Sequence, residues 1–307
     1  MELRNLRSLI ALVESGFSVS RAAEQLHLVQ PAVSQHIRHM EDELGVQLFV
    51  RKGKRLTGLT GVGEQVVQYA RKALAETHNI LDVGRDHVEQ SSGVLRVGTT
   101  HTQARYVLPP VINAFNKAYP EVELQILQGT PQQLVEMALD DLVDFSICTE
   151  DLAEHPLLTA VPCYKWNRSL IALPGHPLLE RKRLTLKALC NYPLITYVFG
   201  FTGRGHFSDA FAKQGLKPRV VLSASDTDVI KTYVREGMGV GIIASLAYTP
   251  KQDRDLVMHD LSKLFPWEIT KIAYPKGKYL RRYQQRFIEL FQRCVSESGR
   301  WAGLLPV

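Results

Sequence analysis

Residues 17–60 read FSVSRAAEQLHLVQPAVSQHIRHMEDELGVQLFVRKGKRLTGLT. The first half of this stretch describes two short helices with a turn between them. Ser18 stands where a side-chain oxygen caps a helix that carries Ala22, Ala23 and Leu26 on one face. Leu26 to Val29 break that pattern, and Pro31 then opens a second helix within its first turn, where a missing N–H costs nothing. Gly45 ends it. Val33, Ile37, Met40 and Leu44 recur at helical spacing and face inward, which leaves Ser34, Gln35, Arg38 and His39 outward. A second helix with Ser, Gln and Arg turned out can hydrogen-bond base edges, as in a helix-turn-helix laid in a major groove. Leu48, Phe49 and Val50 then run as an apolar strand into Arg51, Lys52, Gly53, Lys54 and Arg55, a basic hairpin. Beside the second helix this hairpin is a wing whose cations sit against phosphates; by itself it would be only a solvated charged turn.

Upstream, Leu3, Leu6, Leu9, Ile10 and Val13 share one face of a first helix that Gly16 closes, completing a small winged helix-turn-helix over 1–59. Downstream, Val62, Val66, Val67, Ala70, Leu74, Ile80, Leu81 and Val83 mark one long helix over 60–90. After Gln90-Ser91-Ser92-Gly93 the texture changes to strands alternating with helices. Val94–Gly98, Val122–Leu127 and Phe145–Cys148 read as strands with helices between them, a βαβαβ order with a mainly parallel sheet. The chain is expected to leave this subdomain around Val161 to Arg168. A second α/β unit follows, with strands at 169–173, 194–197, 220–223 and 240–243 and helices at 184–189, 206–213 and 228–236. Pattern alone does not say which unit takes the strand at 271–274 and the amphipathic helix at 279–294.

Length and composition set bounds on function. At 307 residues, 45% hydrophobic and 22% charged, the chain holds two or three ordinary globular domains, and a net charge of +6 is compatible with a polyanionic partner without establishing one. Its four cysteines, Cys148, Cys163, Cys190 and Cys294, show no metal-ligand or disulfide spacing, so no metal is expected and a reducing cytoplasm fits. The N-terminus lacks the apolar run of a signal peptide, and no stretch is long enough for a membrane span.

The block AAEQLHLVQPAVSQHIRHMEDELGVQLFVRKGKRLTGLT resembles the N-terminal domain of LysR-type transcriptional regulators. The resemblance implies a DNA-facing set of Ser18, Arg21, Gln30, Pro31, Ser34, Gln35 and Arg38 from the helices, with Lys52, Lys54 and Arg55 from the wing. It departs at Leu28 and Val29, where the family usually has Ser or Thr as helix cap and phosphate contact; backbone N–H groups remain there to face a phosphate. The long helix is implied to pair with its copy in a homodimer or homotetramer, presenting two recognition helices to double-stranded promoter DNA, with RNA polymerase a further candidate partner. The competing reading packs that helix on its own C-terminal part. Residues 91–300 are implied to be an α/β effector domain like a periplasmic binding protein, lobe I about 91–163 and 269–295, lobe II about 164–268.

Ligands of open α/β sheets sit beyond the carboxyl ends of strands, near helix N-termini. Those positions here hold Thr99, Thr100, Thr102 and Gln103, then Thr149, then Gly200–Arg204, then Ser225, Asp226 and Thr227. Each hydroxyl could serve only as a cap or turn residue. Together, neutral donors from two lobes suit a small oxyanion or zwitterion. The stretches TTHTQARYVLP, CYKWNR, PLITYVFGFTGR and SDTDVIKTYVREGMGVGIIAS are similar to the CysB/Cbl branch of LysR regulators, which controls sulfur assimilation. That likeness implies an effector such as sulfate, thiosulfate or an acetylserine, bound between the lobes at Thr100, Thr102, Gln103, Thr149, Trp166 and Thr202. Arg204 is added on its charge, with pairing to Asp226 or Asp228 as its alternative, and Trp166 could equally pack the hinge. Two other classes compete: a solute receptor without promoter contact, and an enzyme using Cys148 or a hydroxyl with His101. No nucleophile-elbow, paired-carboxylate or metal spacing supports the second.

Overall fold

A computed structural model describes residues 1–53, 55–88, 91–149, 155–198, 204–297 and 305–306, with side chains undescribed for Arg204 and beyond residue 293. The wing's Lys54 and the cleft candidate Thr202 therefore lie outside the described residues. The chain divides into two compact units, Met1–Val88 and Glu89–Val307.

In the first unit, α1 (Leu3–Glu14), α2 (Val19–Gln25) and α3 (Gln30–Leu44) precede a hairpin of β1 (Phe49–Lys52) and β2 (Arg55–Leu59), and α4 (Gly61–Val88) follows. Ser18 caps α2 by accepting from the Arg21 N–H at 3.4 Å. Gly45 closes α3 in the left-handed conformation, φ 70°. Leu9, Leu12, Ala22, Val33, Ile37, Met40, Leu48 and Phe49 are buried in one core, each large side chain contributing about 1.5–3 kcal/mol. The first half of α4 joins that same core through Val67 and Ala70, so the expected border between a domain ending at 59 and a linker helix is not a packing border. Gly63 makes this possible: a Cβ there would stand 2.1 Å from the Leu48 carbonyl oxygen. The second half of α4 leaves Ile80, Leu81, Val83 and Val88 exposed.

The second unit holds two mixed sheets. In chain order come β3 (Gly93–Thr99), a π-helical turn (Gln103–Val107), α5 (Leu108–Ala118), β4 (Val122–Gln128), α6 (Pro131–Leu139), β5 (Phe145–Cys148), β6 (Leu158–Trp166) and β7 (Arg168–Ala172). After these come α7 (Leu186–Leu189), β8 (Leu194–Tyr197), α8 (Arg204–Ala212), β9 (Val220–Ala224), α9 (Thr227–Arg235), β10 (Val240–Ala244) and a 3-10 turn (Ser245–Ala247). The chain closes with β11 (Val257–Asp260), β12 (Glu268–Pro275), α10 (Arg282–Glu297) and β13 (Leu305–Pro306). Lobe I is the sheet β13-β6-β12-β5-β3-β4 and lobe II the sheet β11-β7-β10-β8-β9.

Two expectations need correction. The first sheet is parallel only among β3, β4 and β5; β12 runs antiparallel to both β5 and β6. The exit expected around Val161 to Arg168 falls at Asn167, but the stretch before it, residues 158–166, is a full strand of the lobe I sheet that was not expected; the chain returns by Glu268. Pro162 hides β6 in the sequence. It is tolerated because the register slips there, Thr270 facing Tyr164 and Lys271 facing Pro162, which leaves Cys163 as the extra residue of a bulge. The final helix joins lobe I: Phe287 of α10 lies 5.5 Å from Phe115 and 5.9 Å from Phe145, ring centre to ring centre.

Candidate functional site

On the first unit, α3 presents Gln30, Pro31, Gln35 and Arg38 as exposed residues with Ser34 half-buried beside them, and Arg21, Lys52 and Arg55 are also exposed. Ser18, by contrast, spends its hydroxyl on the α2 cap. Val29 occupies the cap position of α3 and offers no side-chain hydrogen bond, so the first-turn N–H groups of α3 lack a side-chain acceptor there. His36 and His39 turn back toward α1, with ring nitrogens 2.7 Å from Ser8 Oγ and 3.4 Å from Asn5 Nδ2. Arg51 is committed to an ion pair within the protein although its side chain is 39% exposed. Its guanidinium meets the buried Glu41 carboxylate at 2.7 Å, and the other Glu41 oxygen accepts from the Leu48 and Phe49 N–H groups at 2.9 and 3.4 Å. Glu41 thus pins the wing to α3, a role that its plain sequence setting does not advertise.

In the second unit the carboxyl ends of β3, β5 and β6 bring Gln103, Thr149 and Trp166 into one hydrogen-bonded chain. The Tyr164 hydroxyl donates to Gln103 Oε1, Gln103 Nε2 donates to Thr270 Oγ1 at 3.3 Å, the Thr270 and Thr149 hydroxyls meet at 3.3 Å, and Trp166 Nε1 donates to Thr149 Oγ1 at 3.1 Å. Thr270 is also a partner of the Tyr164 phenol, and Gln103 brings one N–H more than these bonds use. Every member is uncharged, burial holding the Tyr164 phenol well above its ordinary pKa. Thr100 and Thr102 are buried next to it at 8% and 3% exposure. Across from them in lobe II, Tyr197 OH lies 2.7 Å from Thr227 Oγ1 at the first turn of α9, with the Thr102 hydroxyl a further partner of that phenol. The result is a buried, polar, uncharged network reaching from lobe I to a helix N-terminus in lobe II.

Sequence reasoning overlooked Tyr164 and Thr270 as parts of this chain and Tyr197 in lobe II, whereas Thr227 was already among the strand-end candidates. Tyr164 and Thr270 face each other across β6 and β12, a pairing that the hidden strand concealed. The hinge was also missed: Arg168 and Glu268, 2% and 3% exposed, pair at 2.7 Å where the chain crosses between lobes, and His206 reaches the other Glu268 oxygen at 2.9 Å. Trp166 turns out to be fully buried with its indole N–H satisfied by Thr149. Arg204 opens α8, while the Asp228 proposed as its partner is held by Arg105 Nε at 2.7 Å. Asp226 caps α9 by accepting from the Val229 N–H at 2.9 Å. Cys148 is buried in a satellite core of lobe I.

Residues 3–64 match the family described as bacterial regulatory helix-turn-helix protein, lysR family, and residues 89–295 match the LysR substrate binding domain. The chain belongs to the LysR family. Among curated relatives of this LysR protein, the HTH-type transcriptional regulator SsuR of Burkholderia cenocepacia is 44% identical, covering 99% of both chains. CysB of Haemophilus influenzae is 43% identical over 97% of this chain and 92% of its own, and cbl of Escherichia coli is 40% identical over 96% and 94%. Among solved structures, the cofactor-binding domain of the Cbl regulator shares 42% identity and a TM-score of 0.65 over 67% of this chain and 90% of its own. Full-length OxyR from Pseudomonas aeruginosa, 22% identical with a TM-score of 0.69 over 95% and 98%, shares the fold. The chain is thus a LysR-type, DNA-binding transcription regulator in the sulfur-assimilation branch, acting on promoter DNA as an oligomer under a small effector. Among the described residues, no helix is long and apolar enough to cross a membrane.

Proposed function

We propose that this regulator works in the cytoplasm, without catalysis, by sensing a small sulfur-pathway oxyanion or acetylserine between its two lobes. The observation that carries the reading is the buried, uncharged chain Tyr164–Gln103–Thr270–Thr149–Trp166, which has a Gln103 N–H and hydroxyls that can turn to donate, in the same unit as Thr227 at the start of α9. A sulfate or thiosulfate brings only acceptors. It matches a site made of donors, whereas a ligand that must itself donate finds fewer partners. Thr100, Thr102, Gln103, Thr149 and Trp166 form the proposed lobe I wall, with Thr202 and Arg204 proposed as further contacts from the lobe II part of the chain.

An effector that bound every lobe arrangement equally would shift nothing. Splitting the contacts between lobes makes affinity depend on closure, and the closed population is what the DNA-binding dimer or tetramer then reads. On DNA, Ser34, Gln35 and Arg38 are proposed to read bases, with Arg21, Gln30, Lys52, Lys54 and Arg55 on the backbone.

Calorimetric titration of the full-length protein with sulfate, thiosulfate, O-acetylserine and N-acetylserine tests this. At least one should bind, and Thr100→Val or Thr149→Val should weaken it about tenfold, the cost of one hydrogen bond to a charged group. The same compound should change the footprint on a promoter of cysteine-biosynthesis or sulfonate-utilisation genes. No binding by any of the four, or binding indifferent to both substitutions, refutes the site.

A further inference from the structure

A cluster at the outer rim of the cleft lies beyond the proposed effector wall. Lobe I contributes His101, Arg105 and Tyr106, the last two on the π-helical turn; lobe II contributes Asp228 and Lys231 from the first turns of α9. Asp228 takes two bonds from across the gap: Arg105 Nε reaches one oxygen at 2.7 Å, and Tyr106 OH donates to the other at 2.8 Å. His101 Nε2 stands 3.8 Å from the same carboxylate. The Lys231 ammonium donates to Tyr106 OH at 3.2 Å and to Ala247 O and Asp253 Oδ2 at 2.6 and 2.7 Å, which exhausts its three protons. A phenol oxygen that accepts from the lysine has its one proton directed at Asp228. Asp253 is anchored in turn by Arg235 at 3.0 Å and by the Thr249 N–H at 2.8 Å.

Exposure separates this cluster from the site behind it. Arg105 and Asp228 are 50% and 36% exposed, whereas Thr102 and Gln103 are 3% and 4% exposed. The rim groups thus close over the wall residues, and opening the cleft requires breaking the bonds to Asp228. The π-helical turn is the local cause: its wider winding lets Gln103 point into the cleft while Arg105 and Tyr106 reach across it, an arrangement frequent at functional sites.

We propose that Asp228 is a positioning residue, the keeper of an inter-lobe latch with Arg105 and Tyr106 that sets how long the two lobes stay closed. It touches no effector. A ligand bound behind it leaves only after the latch opens, so the latch governs dwell time, and with it the time the regulator spends in its effector-bound state. The latch is a property of the two lobes and does not rest on the effector's identity.

The test is hydrogen exchange on full-length, ligand-free protein, comparing wild type with Asp228→Asn, Tyr106→Phe and the double variant. Tyr106→Phe keeps the ring and its packing and serves as control for any folding defect at Asp228. Either single change should speed exchange about tenfold in segments 100–107 and 224–230, the scale of one charge-assisted hydrogen bond, while β4 and the core of α5 hold their rates. Because the Tyr106–Asp228 bond is lost in both single variants, the double variant should be no more than marginally faster than the faster single variant. Unchanged rates, effects that multiply in the double variant, or acceleration spread through all of lobe I would each overturn the latch. A second arm uses sulfate as probe by stopped-flow: its dissociation rate should rise about tenfold in Asp228→Asn with association unchanged, and Asp228→Glu should restore it. Equal dissociation rates overturn the latch. Failure of sulfate to bind wild type counts against sulfate as the effector, and the exchange result still decides the latch.

Discussion

Glu41→Gln is the sharpest probe of how the wing is held. The glutamine keeps one oxygen for the Leu48 and Phe49 N–H groups and replaces the oxygen facing Arg51, now at 2.7 Å, with an NH2 group that cannot accept. A fully buried ion pair broken on one side costs about 3–5 kcal/mol, but the Arg51 side chain is 39% exposed and recovers part of its hydration. A loss of about 1–2 kcal/mol follows, roughly a five- to thirtyfold drop in the fraction of wings docked on α3. The assay is fluorescence anisotropy of full-length protein on a promoter fragment and on random DNA, across a salt series. Because the wing carries backbone contacts, affinity should fall for both DNAs and the logarithmic salt dependence should flatten. Adding Arg51→Gln to Glu41→Gln should cost little more, since the pair is already broken. Unchanged affinity and slope in Glu41→Gln, or independent losses in the double variant, would refute the claim that this carboxylate positions the wing.

Arg38→Ala should weaken binding to the promoter more than to random DNA, whereas Lys52→Ala should weaken both and lower the salt slope by about one; anisotropy separates the two outcomes. Gly63→Ala forces a methyl to 2.1 Å from the Leu48 carbonyl and should destabilise the first unit by at least about 1–3 kcal/mol, measured by urea unfolding. Arg168→Ala leaves Glu268 buried beside His206 alone and should cost about 3–5 kcal/mol in the same assay on the second unit. Burial pushes the Cys163 thiol from 9.0 up to about 12. The folded state then holds its proton when the unfolded state has lost it, so stability falls as pH rises from about 9 to 12, and iodoacetamide at pH 9 should leave Cys163 unmodified until the chain unfolds.

The first unit was legible because its signals are local. Caps, helical spacing and the αL glycine at 45 each sit within a few residues of what they determine, and the basic hairpin follows at once. Even there, Glu41 escaped notice: an acid on the inward edge of a helix looks like any surface carboxylate until its partners at 48, 49 and 51 fold back over it. The second unit was legible as an alternation of strands and helices, and the strand-end threonines fell where open α/β sheets place ligands. What failed was long range. β6 carries a proline and a bulge, and its partner β12 lies about a hundred residues away, so neither the antiparallel half of the lobe I sheet nor the pairing of Tyr164 with Thr270 could be read from a window. The Arg168–Glu268 hinge and the Arg105–Asp228 contact share that character, joining residues with more than a hundred between them or nearly so.

The absence of a formal charge from the lobe I side of the proposed effector wall, Thr100, Thr102, Gln103, Thr149 and Trp166, bears on how such a regulator can respond at all. A buried arginine in lobe I would hold an anion strongly whether or not lobe II had closed, and binding would then carry little information about closure. A hydrogen bond from a neutral donor to a charged ligand is worth about 1.5–3 kcal/mol, so on the proposed reading useful affinity arrives only when Thr227 and the start of α9 add to Gln103 and Thr149. Closure and occupancy become one event. Among the described side chains, charges pair instead at the rim and the hinge, in the Asp228 and Glu268 clusters, where they are proposed to bias the lobes. Placing a charge in the wall should therefore uncouple the two. Thr100→Lys is expected to tighten sulfate binding or leave it unchanged, while the difference in promoter footprint with and without sulfate shrinks. If the lysine variant bound sulfate and kept its full footprint change, weak neutral donors would not be the source of the response, and the division of charge between wall and rim would need another cause.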